Sequence, residues 1–358
     1  MPTERGSAAP GVIEAPYAPG QAVRVAATDD ERHEIFRLRY RVFVHEQGKR
    51  RAGMDAQRKE LTAQWDPLSV LWYAHDGMTI VGTMAQTIIG PDFDVSPMPA
   101  ALELASFPRT ESCKVGYSSR FAIAPEHRSA WVLPSLARST YRHGRALGAK
   151  FDIMLTNPGL VPLFERLGYV RYTASGFHGS DHGLLLPMVL PASDHQHLRN
   201  TRSACLPAAS AFPDEPQWGE WLRNTHPIIN TYYGSELEDR RSTESLARQM
   251  SLPVTLVASL RTASFIHRFP AGTPLVLAGD RVTCGYFVIE GRIAQKQRSV
   301  DADWQSQSAP DGVPFADSAM WCETDVEVLC VPTAMLARAK RRHPELAAQL
   351  DELMQMPR

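Results

Sequence analysis

Residues 114–148 read KVGYSSRFAIAPEHRSAWVLPSLARSTYRHGRALG: an apolar strand, a proline turn, and a helical pattern that stops at Gly148. This order constrains the fold most. A strand that runs through a sharp turn into a helix presents unpaired backbone N–H groups at a positive dipole end, which suits a pyrophosphate or a phosphopantetheine phosphate. Arg128 adds a cation there. Glycines usually let a phosphate approach such a backbone, but Ala130, Trp131 and Leu133 occupy those places, which disfavours tight wrapping of a diphosphate. An ordinary strand-to-helix turn is the alternative.

Strands and helices alternate on both sides of this unit. VRVAA (23–27) predicts a strand, and residues 29–48 a helix that opens with Asp at a capping position. LWYAHDG (71–77) and TIVGTMAQTII (79–89) meet at a hairpin turn. Beyond the helix, 151–157 and 169–175 read as strands around a short helix at 162–168, with a last strand at 182–190. Residues 1–20 read as a Pro/Gly/Ala-rich leader and 191–227 as a connection without sustained period. Residues 228–262 supply helices. From Phe265 short β-branched and aromatic runs are punctuated by Gly272, Gly279, Gly285 and Gly291, as a small β-roll needs, before an amphipathic helical end. The expected fold class is α+β: a mixed sheet with flanking helices over 21–190, then a β-roll with helices over 228–358.

At 358 residues the chain exceeds the roughly 100–200 residues of one domain, which fits that division. Lys and Arg total 38 against 39 Asp and Glu, so the electrostatic footprint of a nucleic-acid binder is missing. The five cysteines form no CxxC pair, which suggests neither a disulfide framework nor a zinc knuckle and points to a reduced, cytoplasmic home. No secretory signal and no membrane span are expected. The DHQH run at 194–197, with His178 and His182 upstream, reads as solvated loop histidines, so no metal site is expected.

Leu38-Arg39-Tyr40-Arg41-Val42-Phe43, the DPLS segment at 66–69, Ser119-Arg120-Phe121 and the Asn157 run ending in Leu-Gly-Tyr resemble a GNAT-type N-acyltransferase over about residues 30–190. The resemblance is to the branch of acyl-homoserine-lactone synthases and N-acyl amino acid synthases. It implies transfer of an acyl group from an acyl-carrier-protein or coenzyme A thioester, as co-substrate rather than resident cofactor, to the amine of an amino acid or related small molecule. It also implies that Arg39, Phe43, Asp66 and Asn157 meet substrate and that Phe121, Ala122, Ile123, Arg128 and Ser129 meet the acyl donor. The carboxylate the family carries two residues before the serine is Tyr117 here, the tryptophan after the first Arg/Phe pair is Lys49, and the Tyr that serves many acetyltransferases as acid is Phe164. Lys49 disfavours a lactone synthase in the strict sense.

The chemistry tolerates the missing acid. A thiol of pKa about 8.5 is already a fair leaving group, so positioning and oxyanion stabilisation by backbone N–H groups along 121–124 supply most of the help. The amine must still lose a proton, for which Glu103 ranks first, followed by Tyr117 and by Asp66 or His75 through water. Ser119 and Arg120 complete the catalytic set, since a cation in an apolar strand must be paired or functional.

FPAGTPLVLAGDRVTCGYFVIEGRIAQ and TDVEVLCVPTAMLARAKRRHPEL resemble a cyclic-nucleotide-binding domain. Its phosphate turn is altered, with Ala316 for glycine, Asp317 for glutamate and no arginine following, so ordinary cAMP or cGMP binding is not expected. The roll then serves packing, homodimerisation or carrier-protein docking. The second functional reading is a catalytically silent, ligand-responsive regulatory protein.

Overall fold

A computed structural model describes residues 20–48, 51–128, 131–179, 183–234, 241–297 and 315–354. The chain divides into two compact units. The first comprises Met1–Asp94, Phe107–Asp152 and Ala192–Pro216, the second Val95–Ser106, Ile153–Pro191 and Gln217–Arg358.

The first unit is built on β1 (Gln21–Val25), α1 (Asp29–Tyr40), a minor hairpin of β2 (Met54–Asp55) and β3 (Glu60–Leu61), β4 (Val70–Asp76), β5 (Thr79–Ile89), β6 (Lys114–Ile123), α2 (Val132–Ala146) and the start of β7 (Ala149–Thr156). Its strands lie in the order β1-β4-β5-β6-β7, and β4 to β5 and β5 to β6 are antiparallel. The expected hairpin is present, its turn using Gly77 at φ +59°, a left-handed value that glycine adopts without strain. Helix α1 starts where expected, but Thr28 is the cap: its side chain accepts from Glu31 N at 3.2 Å, and Glu31 Oε2 accepts from Thr28 N at 3.0 Å. The helix was expected to run to 48; instead Arg41–Glu46 widens into a π-helical turn, a local geometry frequent at functional sites.

Alternation along β6 places Ile123 and Phe121 in a core with Trp72, Val81, Val132 and Leu136 beneath α2. Gly82 opposes Ile123 in this layer, and a Cβ there would stand 2.4 Å from Val132 Cγ1, so only glycine lets α2 lie this close to β5. Ala122 and Ala124 turn the other way, against Leu38, Val42 and Phe43. The stretch 191–227, read as a connection, carries short helices α4 (His195–Asn200), α5 (Leu206–Ala209) and α6 (Pro216–Thr225).

The second unit holds the end of β7, α3 (Val161–Glu165), β8 (Val170–Arg171), β9 (Phe177–Gly179) and β10 (Gly183–Leu190), with β10 between β7 and β8. The strand expected over 169–175 shortens to Val170–Arg171. Helices α7 (Ile228–Tyr233), α8 (Thr243–Met250) and α9 (Val254–Arg261) follow, then β11 (Phe265–Phe269), β12 (Pro274–Val276), β13 (Cys284–Glu290), β14 (Ile293–Gln297), β15 (Ser318–Cys322) and β16 (Val326–Pro332). These six strands form two three-stranded antiparallel sheets, β11-β16-β13 and β12-β15-β14. The segment read as the altered phosphate turn enters β15. The terminal helix is interrupted at His343, giving α10 (Thr333–Arg342) and α11 (Ala347–Leu353), because Pro344 cannot continue the ladder. Leu246, Leu256, Leu329, Val331, Leu336 and Leu350 form the apolar core of this part. No helix among the described residues is long and apolar enough to cross a membrane.

Candidate active site

Strand β6 is not regular. Its pairing with β5 shifts between Thr83 and Ala85, so Ser119 pairs with Ala85 and Ala122 with Thr83 while Arg120 and Phe121 face Met84 as an inserted pair. Arg120 adopts φ +52°, a left-handed conformation that a side-chain-bearing residue rarely holds. Bulges of this kind re-aim side chains and interrupt the ladder of N–H groups. The oxyanion donors were expected along 121–124; the irregularity itself lies at Arg120 and Phe121. Ser119 and Arg120 are half-buried.

On the α1 side of the sheet, Arg39 is wholly buried. Its Nη1 donates to both carboxylate oxygens of Asp66 at 2.8 Å, and Asp66 Oδ2 also accepts from Ala63 N at 2.6 Å. Among the described residues Arg39 Nε and Nη2 have no hydrogen-bond partner. The guanidinium lies over the Phe36 ring at 5.6 Å. Burial pushes its pKa down from the ordinary value, Asp66 pulls it back, and the nearby charge of Arg120 adds to the depression. Arg120 also bears on Tyr117. Burial raises the Tyr117 phenol above its ordinary pKa, with Arg120 opposing, so Tyr117 stays protonated near neutral pH and makes a poor general base. Two of the expected substrate residues thus form one buried ion pair, and one expected catalytic residue, Arg120, stands within its field. Phe43 packs against Ala122 and carries the Arg51 guanidinium 5.4 Å over its ring.

Of the expected donor-binding residues, Ala122 lies on this same side. The Phe121 and Ile123 side chains do not: they fill the core beneath α2, so any role toward a donor falls to their backbone. Arg128 donates through Nε to Ile123 O at 3.3 Å and through Nη2 to Glu46 Oε2 at 2.5 Å, with its side chain 46% exposed. Ser129, Ala130 and Lys49 lie outside the described residues.

Sequence reasoning missed the polar network on the opposite side of β6. Buried Asp152 accepts from Ser118 Oγ at 3.0 Å and from Gln86 Nε2 at 3.3 Å, and Gln86 Oε1 meets His143 Nδ1 at 2.9 Å. Burial lowers the His143 pKa. A Cβ on Gly116 would stand 2.3 Å from Asp152 Oδ1, so that glycine makes room for the carboxylate. The signal was legible as polar residues at alternate positions facing α2, but only register shows that they meet.

Of the remaining expected residues, His75 lies on β4 in the first unit with its Nδ1 3.1 Å from Gly77 O, while Glu103 and Asn157 fall in the second unit. Glu103 caps a 3₁₀ turn at φ +46°. Asn157 opens another turn and lines a small recess with Asp280, Thr283 and Tyr286. His178 Nε2 stands 2.8 Å from Asp280 Oδ2. The DHQH run, in the first unit, is not a solvated loop: Asp194 caps α4 by accepting from His197 N at 2.8 Å, and His195 is buried. Among the described residues no group of three or more His, Cys, Asp or Glu could hold a metal ion.

Residues 34–190 match the family model of the N-acyl amino acid synthase FeeM, a span just under half the chain. The matched region is that of an acyltransferase enzyme. Among solved structures, FeeM, an N-acyl amino acid synthase from uncultured soil microbes, is 18% identical with a TM-score of 0.40, covering 52% of this chain and 96% of its own. TofI, in a ternary complex with an inhibitor and MTA, is 19% identical at 0.40, covering 51% and 96%. BjaI, a CoA-dependent acyl-homoserine lactone synthase with SAM and isopentyl-CoA, is 14% identical at 0.38, covering 51% and 92%. No curated protein matches the chain.

Proposed function

We propose that the chain is an N-acyltransferase that moves an acyl group from an acyl-carrier-protein or coenzyme A thioester to the amine of an amino acid or related small molecule. The observation that carries this reading is the Arg39 guanidinium, buried and anchored to Asp66 through Nη1 alone while Nε and Nη2 lack partners. Buried N–H donors of a cation are costly to leave unmet, and a carboxylate of the acceptor meets them in fork geometry. The interrupted ladder at Arg120 and Phe121 supports the second requirement, backbone N–H groups for the oxyanion of the tetrahedral intermediate. In the step itself the neutral amine attacks the thioester carbonyl, the C–N bond forms, the C–S bond breaks, and the amine proton leaves for solvent or a base as the thiolate departs and is protonated. The Tyr117 phenol, held protonated by burial, is poorly suited to take that proton, which leaves a water-mediated route.

Release of free thiol from short- and long-chain acyl-coenzyme A and acyl-carrier-protein, with and without a panel of amino acids, tests the reading. Thiol release that requires an amine carrying a carboxylate supports it. Release that is equal with simple alkylamines removes the role given to Arg39.

A further inference from the structure

A second cluster, wholly within the second unit, has the composition of a nucleophile, a base and an orienting acid. Ser106 is exposed at the end of a 3₁₀ turn, and its Oγ stands 3.3 Å from Nε2 of buried His226. On the far side of the imidazole, Nδ1 faces Glu103 Oε2 at 3.7 Å. Glu103 is itself aimed: Thr173 Oγ1 donates to Oε1 at 2.9 Å, which turns Oε2 toward the ring. The ring is fixed by edge-on contacts with Tyr172 at 5.1 Å and Trp221 at 6.2 Å, and Tyr172 pins the turn by donating to Leu102 O at 2.7 Å. Glu103 holds φ +46°, a strained value for a residue with a side chain, and a fold keeps such strain where the surroundings over-determine it.

We propose that Ser106, His226 and Glu103 form a second reactive site, in which Ser106 is a nucleophile toward activated carboxylic esters and thioesters. In the resting arrangement the Ser106 hydroxyl donates to Glu103 O at 2.7 Å. Rotation about the Cβ–Oγ bond brings the hydrogen to His226 Nε2, the Nδ1–H tautomer being the one Glu103 favours. His226 then takes the Ser106 proton as Oγ bonds to the acyl carbon, and returns it to the departing thiolate or alkoxide as that bond breaks, leaving an acyl-serine. Water attacking the acyl-serine, with His226 as base, releases the carboxylic acid. Burial lowers the His226 pKa and Glu103 raises it in part, so the imidazole is neutral and able to accept a proton near pH 7. Ser106 and His226 touch the reacting atoms; Glu103 acts through His226 as a positioning residue.

The full-length protein is treated with a fluorophosphonate, in which Ser106 Oγ displaces fluoride at phosphorus, and the adduct is mapped by peptide mass. The expected result is one adduct at Ser106, absent in S106A and formed about a hundredfold more slowly in H226Q. Because His226 is buried and H226Q can fail to fold, E103Q is measured alongside: its labelling is slower, and the rise of rate with pH moves to lower pH, since His226 loses the charge that raised its pKa. A merely structural Glu103 leaves that profile unmoved. No adduct at Ser106, or equal rates in wild type and E103Q with the same pH profile, overturns the proposal. The assay contains no acyl carrier and no amine, so its failure leaves the acyl-transfer reading untouched.

Discussion

Arg39 spends a single nitrogen, Nη1, on both carboxylate oxygens of Asp66 at 2.8 Å. A side-on bidentate pair would use two nitrogens of the fork; this one keeps Nε and Nη2 for another partner. Because the pair is buried, removing one member leaves the other charge uncompensated, at about 3–5 kcal/mol, whereas replacing both by apolar groups costs much less. D66N and R39M are therefore each expected to lower urea-unfolding stability by several times more than the R39M/D66L double variant, and that non-additivity checks the pairing.

Arg120 tests conformation against charge. At φ +52° a β-branched side chain is strained by roughly 1–3 kcal/mol, while glycine is at ease. R120V is expected to lose stability in that range and R120G to stay near wild type in denaturant midpoint. Both lose the guanidinium, so both are expected to lose acyl-transfer activity. Retained activity in R120G assigns Arg120 to the bulge alone.

Gly116 is expected to be intolerant of the smallest side chain. The Cβ of G116A falls 2.3 Å from Asp152 Oδ1, so the carboxylate that holds Ser118 and Gln86 must move, at about 1–3 kcal/mol as for other overpacked sites. Thermal unfolding of G116A reads this directly. Combining it with D152N is expected to be less than additive.

Acid is expected to weaken the first unit through Glu215. Desolvation raises its pKa, but hydrogen bonds and charge from Lys150 and Arg145 outweigh this and hold it below the ordinary value near 4.5. The unfolded chain therefore takes up this proton first, and stability is full above about pH 4.5 and declines as pH falls through the lower folded value. Fluorescence-monitored unfolding from pH 6 to 3 follows this. The K150M variant, in which one stabilising partner is gone, is expected to show a shallower slope.

Much of the fold was legible because the patterns were local. The hairpin at Gly77, strand β6 with its proline turn and helix α2, and the run of short strands after Phe265 each announced themselves by period and by turn residues. What stayed hidden depended on contacts distant in sequence. Alternation on β6 could have set Phe121 and Ile123 apart from Ala122, yet which set faced the open side needed the position of α2. Arg39 and Asp66 were legible as residues but not as one ion pair, since 27 positions separate them. The π-helical turn at Arg41–Glu46 leaves no compositional mark. The proximity of Ser106 to His226, 120 residues away, is visible only after folding.

The central claim is N-acyl transfer with Arg39 holding the acceptor. Mass spectrometry of product formed from an acyl thioester and an amino acid, in wild type and in R39K, tests it most directly. R39K keeps the charge against Asp66 but lacks the two further donors of the fork. The account predicts N-acylated amino acid from the wild type and a large rise in KM for the amino acid in R39K at unchanged secondary structure. No N-acylated product from any amino acid with either class of donor, or an R39K enzyme with unaltered KM, contradicts it.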